Sequence, residues 1–125
     1  MYNFGVGKMT HYYYIASDKK LGLGNGTLDF VPTDYSIPGF DYPVQLEVLS
    51  LEKDWELMAL LQYIRNHTAP HKECTIQIAH LLNSNRVELK VYEKSKILLR
   101  NIVDPKQLLL KEGHLLTIKK VAYPY

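Results

Sequence analysis

Three side chains that can ligate metals fall close together in the chain: His67, His71 and Cys74, with His80 six residues further on. Imidazole nitrogen and thiolate sulfur are the ligands tetrahedral zinc prefers, so the group has to be weighed as a metal site. Its context argues otherwise. His67 falls at the end of an expected helix, Cys74 opens an expected strand, and no second Cys/His pair completes the usual ligand signature. A histidine near a helix C-terminus also complements the helix dipole without any metal. Cys74 and His80 are the candidates for thiol catalysis, which needs an accessible, low-pKa thiolate beside a base. Both fall on the apolar face of the expected strand, where a lone cysteine is ordinarily an inert core thiol. No catalytic residue, metal or cofactor is therefore assigned.

Gly22, Gly24 and Gly26 follow an expected strand and invite comparison with a phosphate cradle, in which glycines let backbone amides converge on an anion at a helix N-terminus. No helix follows here. Residues 27–31 read as extended, and Lys19 and Lys20 precede the glycines, the reverse of the P-loop order. The bland reading is a mobile turn. The sharper one is an anion-binding pocket between loop 22–26 and the strand ends, using Lys20 or a tyrosine hydroxyl. No serine sits in a Gly-x-Ser-x-Gly elbow. The carboxylates are scattered singly, so paired acid–base hydrolysis has no support.

Tyrosine is over-represented, with ten residues, most of them near the chain ends. In an extended segment Tyr12 and Tyr14 share one face and Tyr13 takes the other. Tyr combines a rigid apolar body with a polar tip, which suits an interface as well as a sheet rim. Lys90, Lys94, Lys96, Arg100, Lys119 and Lys120, with Tyr92 among them, are the residues a nucleic acid would use. Glu88, Glu93 and Asp104 interrupt that set, and no Lys/Arg-Gly-aromatic run of the RNA-binding sheet type occurs. A protein partner or self-association is favoured over nucleic acid, and the candidate contact residues are Tyr12, Tyr14, Lys20, Gly22 and Gly24.

At 125 residues the chain is one ordinary domain, large enough for a core without covalent staples. The apolar fraction of 46% and the charged fraction of 22% are those of a globular protein. One cysteine excludes an internal disulfide framework and fits a reducing compartment, or simply a fold that needs no bridge. No stretch approaches the ~20 apolar residues a membrane-spanning helix requires. Residues 1–8 lack the apolar run and small-residue cleavage site of a secretory signal and are expected to be a leader without a fold, with Met9 a second possible start. Residues 1–62 carry four basic against eight acidic side chains, and residues 63–125 carry eleven against five. Such asymmetry can steer a charged partner or simply draw the two halves together.

Residues 11–17 are expected to be a strand, 26–31 a second, 32–43 a surface connection and 44–49 a third strand with Val44, Leu46 and Val48 on one side. Ser50 is placed to cap a helix over 51–67, with Glu52 and Asp54 at its positive end. Leu57, Met58, Leu61 and Ile64 form its apolar stripe, widened by Trp55 and Leu60. Residues 74–82 and 87–92 alternate around the turn residues Asn83, Ser84 and Asn85 and predict a hairpin. A short strand over 97–99 follows. Asp104, Pro105 and Gln107 open a short helix over 105–111, which Gly113 would end, and 115–121 close the chain as a strand. The predicted fold is α+β: a mixed, mostly antiparallel sheet of about five strands with the main helix on one face. From Val44 the element order is that of a split β-α-β, ferredoxin-like arrangement.

The run from Thr10 through Tyr12, Tyr13, Tyr14, Ile15 and Ala16 to Ser17, with Lys20, Leu21 and Gly22 after it, resembles the opening of small uncharacterised proteins of Gram-positive bacteria. The closing pattern of Asp104-Pro105, Leu108-Leu109-Leu110 and Leu116-Thr117-Ile118 is similar to theirs too. The resemblance covers the two ends of the chain, brings no activity or functional residue, and implies a bacterial, cytoplasmic protein. The expectation is a non-enzymatic binding or interaction domain, a self-associating regulator being one form of it.

Overall fold

The computed structural model describes residues 10–49, 51–83 and 89–122. The strands are β1 (Thr10–Ser17), β2 (Val31–Tyr35), β3 (Val44–Leu49), β4 (Cys74–Asn83), β5 (Glu93–Leu98) and β6 (His114–Lys120), with the helix α1 (Asp54–Thr68) between β3 and β4. They form one six-stranded sheet in the order β2-β3-β1-β4-β6-β5. Only the β5–β6 pair is parallel. The α+β class and the mixed, mostly antiparallel sheet are as predicted, with six strands rather than five.

β1 is antiparallel to both β3 and β4. β3 and β4 therefore run parallel with β1 between them, and α1 connects them across one face. This is a split β-α-β unit, but its gap is filled by the N-terminal strand. In the ferredoxin-like order a later strand would fill it. Among the described residues the predicted hairpin is not formed. β4 is bonded to β1 on one side and β6 on the other, and residues 89–92 carry no strand. Ser84, Asn85, Val87 and Glu88 lie outside the described residues. The alternation that suggested the hairpin has another cause: Leu89 and Val91 pack on the sheet face while Lys90 and Tyr92 point outward. The close approach of this segment is visible at Gly39 (φ +106°), where a Cβ would stand 2.7 Å from Val91 Cβ.

One face of the sheet holds the larger core. Tyr13 and Ile15, Leu46 and Val48, Ile76 and Ile78, and Leu116 and Ile118 meet Leu57, Leu60, Leu61 and Ile64 of α1. The other face is smaller, with Tyr14, Ala16, Ala79 and Leu115 under Ile37 and Phe40. Its polar tie is Gln77, whose amide donates to Asp41 Oδ2 and Thr117 Oγ1 at 3.0 Å each and accepts from Asp41 N at 2.8 Å. Val44 joins this second face although Leu46 and Val48 face the helix, because the β1–β3 register slips between Ile15 and Ala16 and a bulge shifts the alternation. The extruded Gln45 donates to the Ser17 and Lys19 carbonyls and accepts from Leu21 N, fixing the start of loop 18–30.

The helix begins later than predicted. Ser50 lies outside the described residues, and the cap position is Lys53. Glu56 Oε1 accepts the backbone N–H groups of Glu52 and Lys53 at 3.1 and 3.0 Å, satisfying donors the helix itself cannot. At the other end Lys120 Nζ donates to the Thr68 and Ala69 carbonyls, a cation at the negative end of the dipole. Met58, predicted in the apolar stripe, and Trp55, predicted to widen it, are instead exposed to more than half of their surface.

Three other elements differ from the prediction. The second strand, expected over 26–31, lies at Val31–Tyr35, almost wholly in the segment read as a connection; it is an exposed edge strand with no apolar alternation to reveal it, and such an edge tolerates Pro32. The short strand expected over 97–99 is β5, starting four residues earlier. The helix expected over 105–111 is a single 3-10 turn, Pro105–Leu108, despite the predicted capping by Asp104 and Gln107, both of which form. The reason is Tyr13. Its hydroxyl donates to Leu108 O at 2.9 Å and accepts from Leu110 N at 2.8 Å, taking the groups a longer helix would need. Burial pushes this phenol up to about 12. Gly113 is not a helix cap but the turn into β6 (φ +89°), where a Cβ would stand 2.6 Å from the Tyr92 ring.

Tyr13→Phe keeps the ring and strands both backbone groups. Leaving buried polar groups unpaired should lower the unfolding free energy by about 1–3 kcal/mol, measured by urea denaturation.

Candidate functional site

Two neighbouring regions deserve comparison as sites: a polar cluster where β1 ends beside the C-terminus of α1, and a groove along the outer side of α1.

The cluster gathers what the sequence kept apart. Ser17 Oγ lies 3.1 Å from His67 Nε2 and 3.9 Å from Cys74 Sγ. Asp18 Oδ1 accepts from Thr75 N at 3.0 Å and from the Cys74 thiol at 3.6 Å. The His67 ring is 6.0 Å from that of His71. A hydroxyl this close to an imidazole nitrogen has the separation of a nucleophile and its base. The protons run the wrong way for that. The Ser17 hydroxyl has one proton, and its shortest acceptor is Thr75 O at 2.8 Å. Lys19 N donates into the same oxygen at 3.1 Å. With the hydroxyl proton on Thr75 O, the Ser17–His67 contact is completed by the tautomer in which Nε2 carries a proton and donates, and in that tautomer the Nε2 lone pair is not available to activate the serine. Ser17 is buried. Burial holds His67 below its ordinary pKa, helped by His71 and opposed by Asp18. Burial also raises the Cys74 thiol, which keeps it out of its nucleophilic form. His80 is elsewhere, stacked on Tyr13 with its Nδ1 at 2.9 Å from Leu110 O. Among the described residues no three His, Cys, Asp or Glu side chains are placed to hold a metal ion. The cluster is a clip joining β1, α1 and β4.

The groove is built by loop 22–30 and α1. Tyr63 Oη donates to Gly22 O at 2.6 Å, and the Phe30 and Tyr63 rings meet at 4.5 Å between centroids. Gly24 is needed here twice over. Its φ is +74°, and a Cβ would stand 3.1 Å from the Tyr63 ring. Asn25 Oδ1 closes the turn by accepting from Thr27 N and Thr27 Oγ1. Between this loop and the helix lies a cavity of about 650 Å³, walled by Phe30, Trp55, Met58 and Tyr63 and ending at Asn66 and His67. Gln62 Nε2 donates to Asn66 Oδ1 at 2.9 Å on its floor. A second cavity of about 380 Å³ adjoins it across Thr27, Leu28 and Trp55, and takes in Tyr12, Leu49 and three acidic residues, Asp29, Glu47 and Glu56. Leu49, Trp55 and Met58, all more than half exposed, lie along these two cavities.

The predicted contact residues separate. Gly22, Gly24 and Tyr12 line the two cavities. Tyr14 does not present a surface: it is fully buried, with its hydroxyl accepting from Asn83 Nδ2 at 3.0 Å, because β1 is an interior strand covered on both faces. Burial raises this phenol too, to about 12. Lys20 is exposed and lines neither cavity. The glycines form a cavity wall with Gly22 turning a carbonyl to Tyr63, not an amide cradle for an anion. The sequence reading missed Trp55, Met58 and Phe30 as site residues, and the Ser17–His67 contact altogether. A signal for the first existed: Trp55, Ala59, Gln62 and Asn66 form a charge-free stripe on the outer side of a helix, where charged residues ordinarily stand. The basic residues also divide, since Lys120 serves the helix end while Lys94 and Lys96 stay exposed on the edge strand β5.

Compared with known proteins, the chain matches no protein-family model, no curated protein and no solved structure. Among the described residues no helix is long and apolar enough to cross a membrane.

His67 gives the cluster a pH dependence. Its folded-state pKa lies below the ordinary 6.5, so the unfolded chain takes up the proton more readily. Stability is then lost as pH falls through 6.5 toward the lowered folded value. His67→Gln, which can still donate to Ser17, should lose less between pH about 7.5 and about 5.5 than the parent does, as read from urea midpoints at each pH.

Proposed function

We propose that this chain is a non-catalytic binding domain that docks a protein partner, or a second copy of itself, along the groove between loop 22–30 and α1. The observation that carries the reading is Trp55. It is the only tryptophan in the chain, it is 55% exposed, and it stands between two cavities on a helix stripe that nothing among the described residues covers. Tryptophan and tyrosine are the residues that most often dominate interface energies. A half-exposed Trp beside exposed Met58 and Leu49 is apolar surface that a folded monomer gains nothing by presenting. The catalytic alternative has less support: the Ser17 hydroxyl's shortest acceptor is Thr75 O and not His67, and the other serine–histidine contact among the described residues, Ser95 Oγ to His114 Nε2 at 2.6 Å with Glu93 Oε2 3.7 Å from Nδ1, joins β5 to β6 and lines neither cavity. The buried free thiol of Cys74 suits a reducing, cytoplasmic setting, in keeping with the bacterial proteins whose ends this chain resembles.

Native mass spectrometry of protein taken gently from its own host would identify the companion or the subunit count. Trp55→Ala should leave the unfolding free energy within about 1 kcal/mol of the parent, since the ring is half exposed. It should weaken the association by about 2 kcal/mol or more, and Tyr12→Ala by over ~1 kcal/mol. Unchanged association in a Trp55→Ala/Met58→Ala double variant would remove the reading.

One observation favours a nucleic acid as second reading. Tyr92 is 66% exposed, Lys90 Nζ stands 5.5 Å over its ring, and Lys94 and Lys96 follow on β5. A stacking ring among cations is the usual single-strand platform. It requires retention on heparin or RNA that falls steeply as salt rises; salt-insensitive or absent retention dismisses it.

A further inference from the structure

The two halves of the groove differ in charge, and that difference specifies the partner. The larger cavity has no Asp, Glu, Lys or Arg in its lining. A charged group placed there would be stripped of water with nothing to pair it, so its occupant is uncharged. The smaller cavity has Asp29, Glu47 and Glu56 in its lining and no Lys, Arg or His. Glu56 is committed to the start of α1. Asp29 and Glu47 have no ion pair among the described residues, where the one ion pair joins His114 to Glu93. Burial raises the Glu47 pKa, the mark of a carboxylate short of water that a cation would stabilise. Trp55 lines both cavities, so one short ligand can reach both, and its ring is open to an aromatic or cationic side chain on either side.

We infer that the occupant is a segment of a partner protein in which an uncharged aromatic or large aliphatic side chain is followed or preceded closely by a lysine or arginine. The apolar side chain enters between Phe30, Met58 and Tyr63, and the cation settles beside Asp29 and Glu47. This rests on the reading of the groove as a docking site and goes beyond it by fixing the partner's chemistry. The C-terminal half of this chain is basic and carries Lys90, Tyr92 and Lys94 in that pattern, but Tyr92 N and Glu93 N donate to Gly113 O and Lys94 is paired in the β5–β6 ladder, so the segment is fixed in the sheet and a second copy is the poorer fit.

The test is selection of a phage-displayed random peptide library against the full chain, with the Trp55→Ala protein as counter-target. Enriched peptides should carry Lys or Arg within a few positions of Leu, Phe, Tyr or Trp. Their synthetic forms should shift Trp55 emission and lose about tenfold or more in affinity on Asp29→Asn/Glu47→Gln protein and in raised salt. Peptides that require Trp55 but show no basic bias, or that bind the double variant as tightly, overturn the charge pairing and leave the groove as a docking site. A monomer–dimer equilibrium abolished by Trp55→Ala and indifferent to Asp29→Asn/Glu47→Gln puts a second copy in the groove and also overturns it. A library that enriches nothing over the counter-target overturns the groove reading itself.

Discussion

β1 enters the sheet between β3 and β4, and its two edges are bonded over nearly its whole length. That pairing joins the two ends of the β3–α1–β4 crossover, which without it would face each other across a gap the width of one strand. It also decides what is core. With both edges paired and both faces covered, Tyr13, Tyr14, Ile15 and Ala16 are all sealed from water. Two tyrosines can be buried there only because each hydroxyl has a partner: Leu108 O and Leu110 N for Tyr13, Asn83 for Tyr14. The Tyr13 hydroxyl reaches from an interior strand to the segment joining β5 and β6, so the same residue shapes the second crossover and cuts its helix to one turn.

The position of α1 follows. It spans the split, so its inner side must cover β1 as well as β3 and β4, and Leu57, Leu60, Leu61 and Ile64 do this. Among the described residues the side turned away has loop 22–30 beside it. That loop is held at one end by Gln45, extruded by the bulge opposite Ile15 and Ala16, and in its middle by the Tyr63 hydroxyl on Gly22 O. Burial pushes the Tyr63 phenol up to about 12, so it stays protonated and keeps donating over the physiological range. The groove is therefore a consequence of the sheet order: a helix wide enough to bridge three strands, and a loop pinned beside it but not across it.

Much of this was legible in the sequence. β3 was placed to the residue, and β1, β4, β6 and the Asp104 capping group were recognised, because each depends on local alternation or local hydrogen bonding. The errors have a common cause. Trp55 and Met58 satisfy a helical apolar stripe as well as Leu57 and Leu61 do, and periodicity alone cannot distinguish the side that meets the sheet from the side that meets a loop. Residues 89–92 alternate as a strand does because an extended chain lying on a sheet face alternates too, bonded or not. Tyr14 looked like a surface residue because nothing local says that β1 is interior. Its two neighbours come from residues 44–49 and 74–83, far along the chain. The Ser17–His67 contact spans fifty residues and has no local trace.

The comparison of the two candidate regions turns on satisfaction of polar and apolar groups. In the Ser17 cluster the hydroxyl, one imidazole nitrogen and the thiol are already engaged: the hydroxyl with Thr75, the imidazole with the hydroxyl, the thiol with Asp18. Each bond lowers the energy of the resting arrangement and makes proton transfer or attack harder. The groove is the reverse case. Trp55, Met58 and Leu49 keep large apolar surfaces in water at about 25 cal/mol per Å², and the neighbouring Glu47 carboxylate is partly desolvated with no ion pair among the described residues. Both conditions are unfavourable in the isolated chain and are relieved together by one ligand that brings an apolar side chain and a positive charge. The fold accounts for the clip on its own; the groove is the surface on which the proposed docking rests.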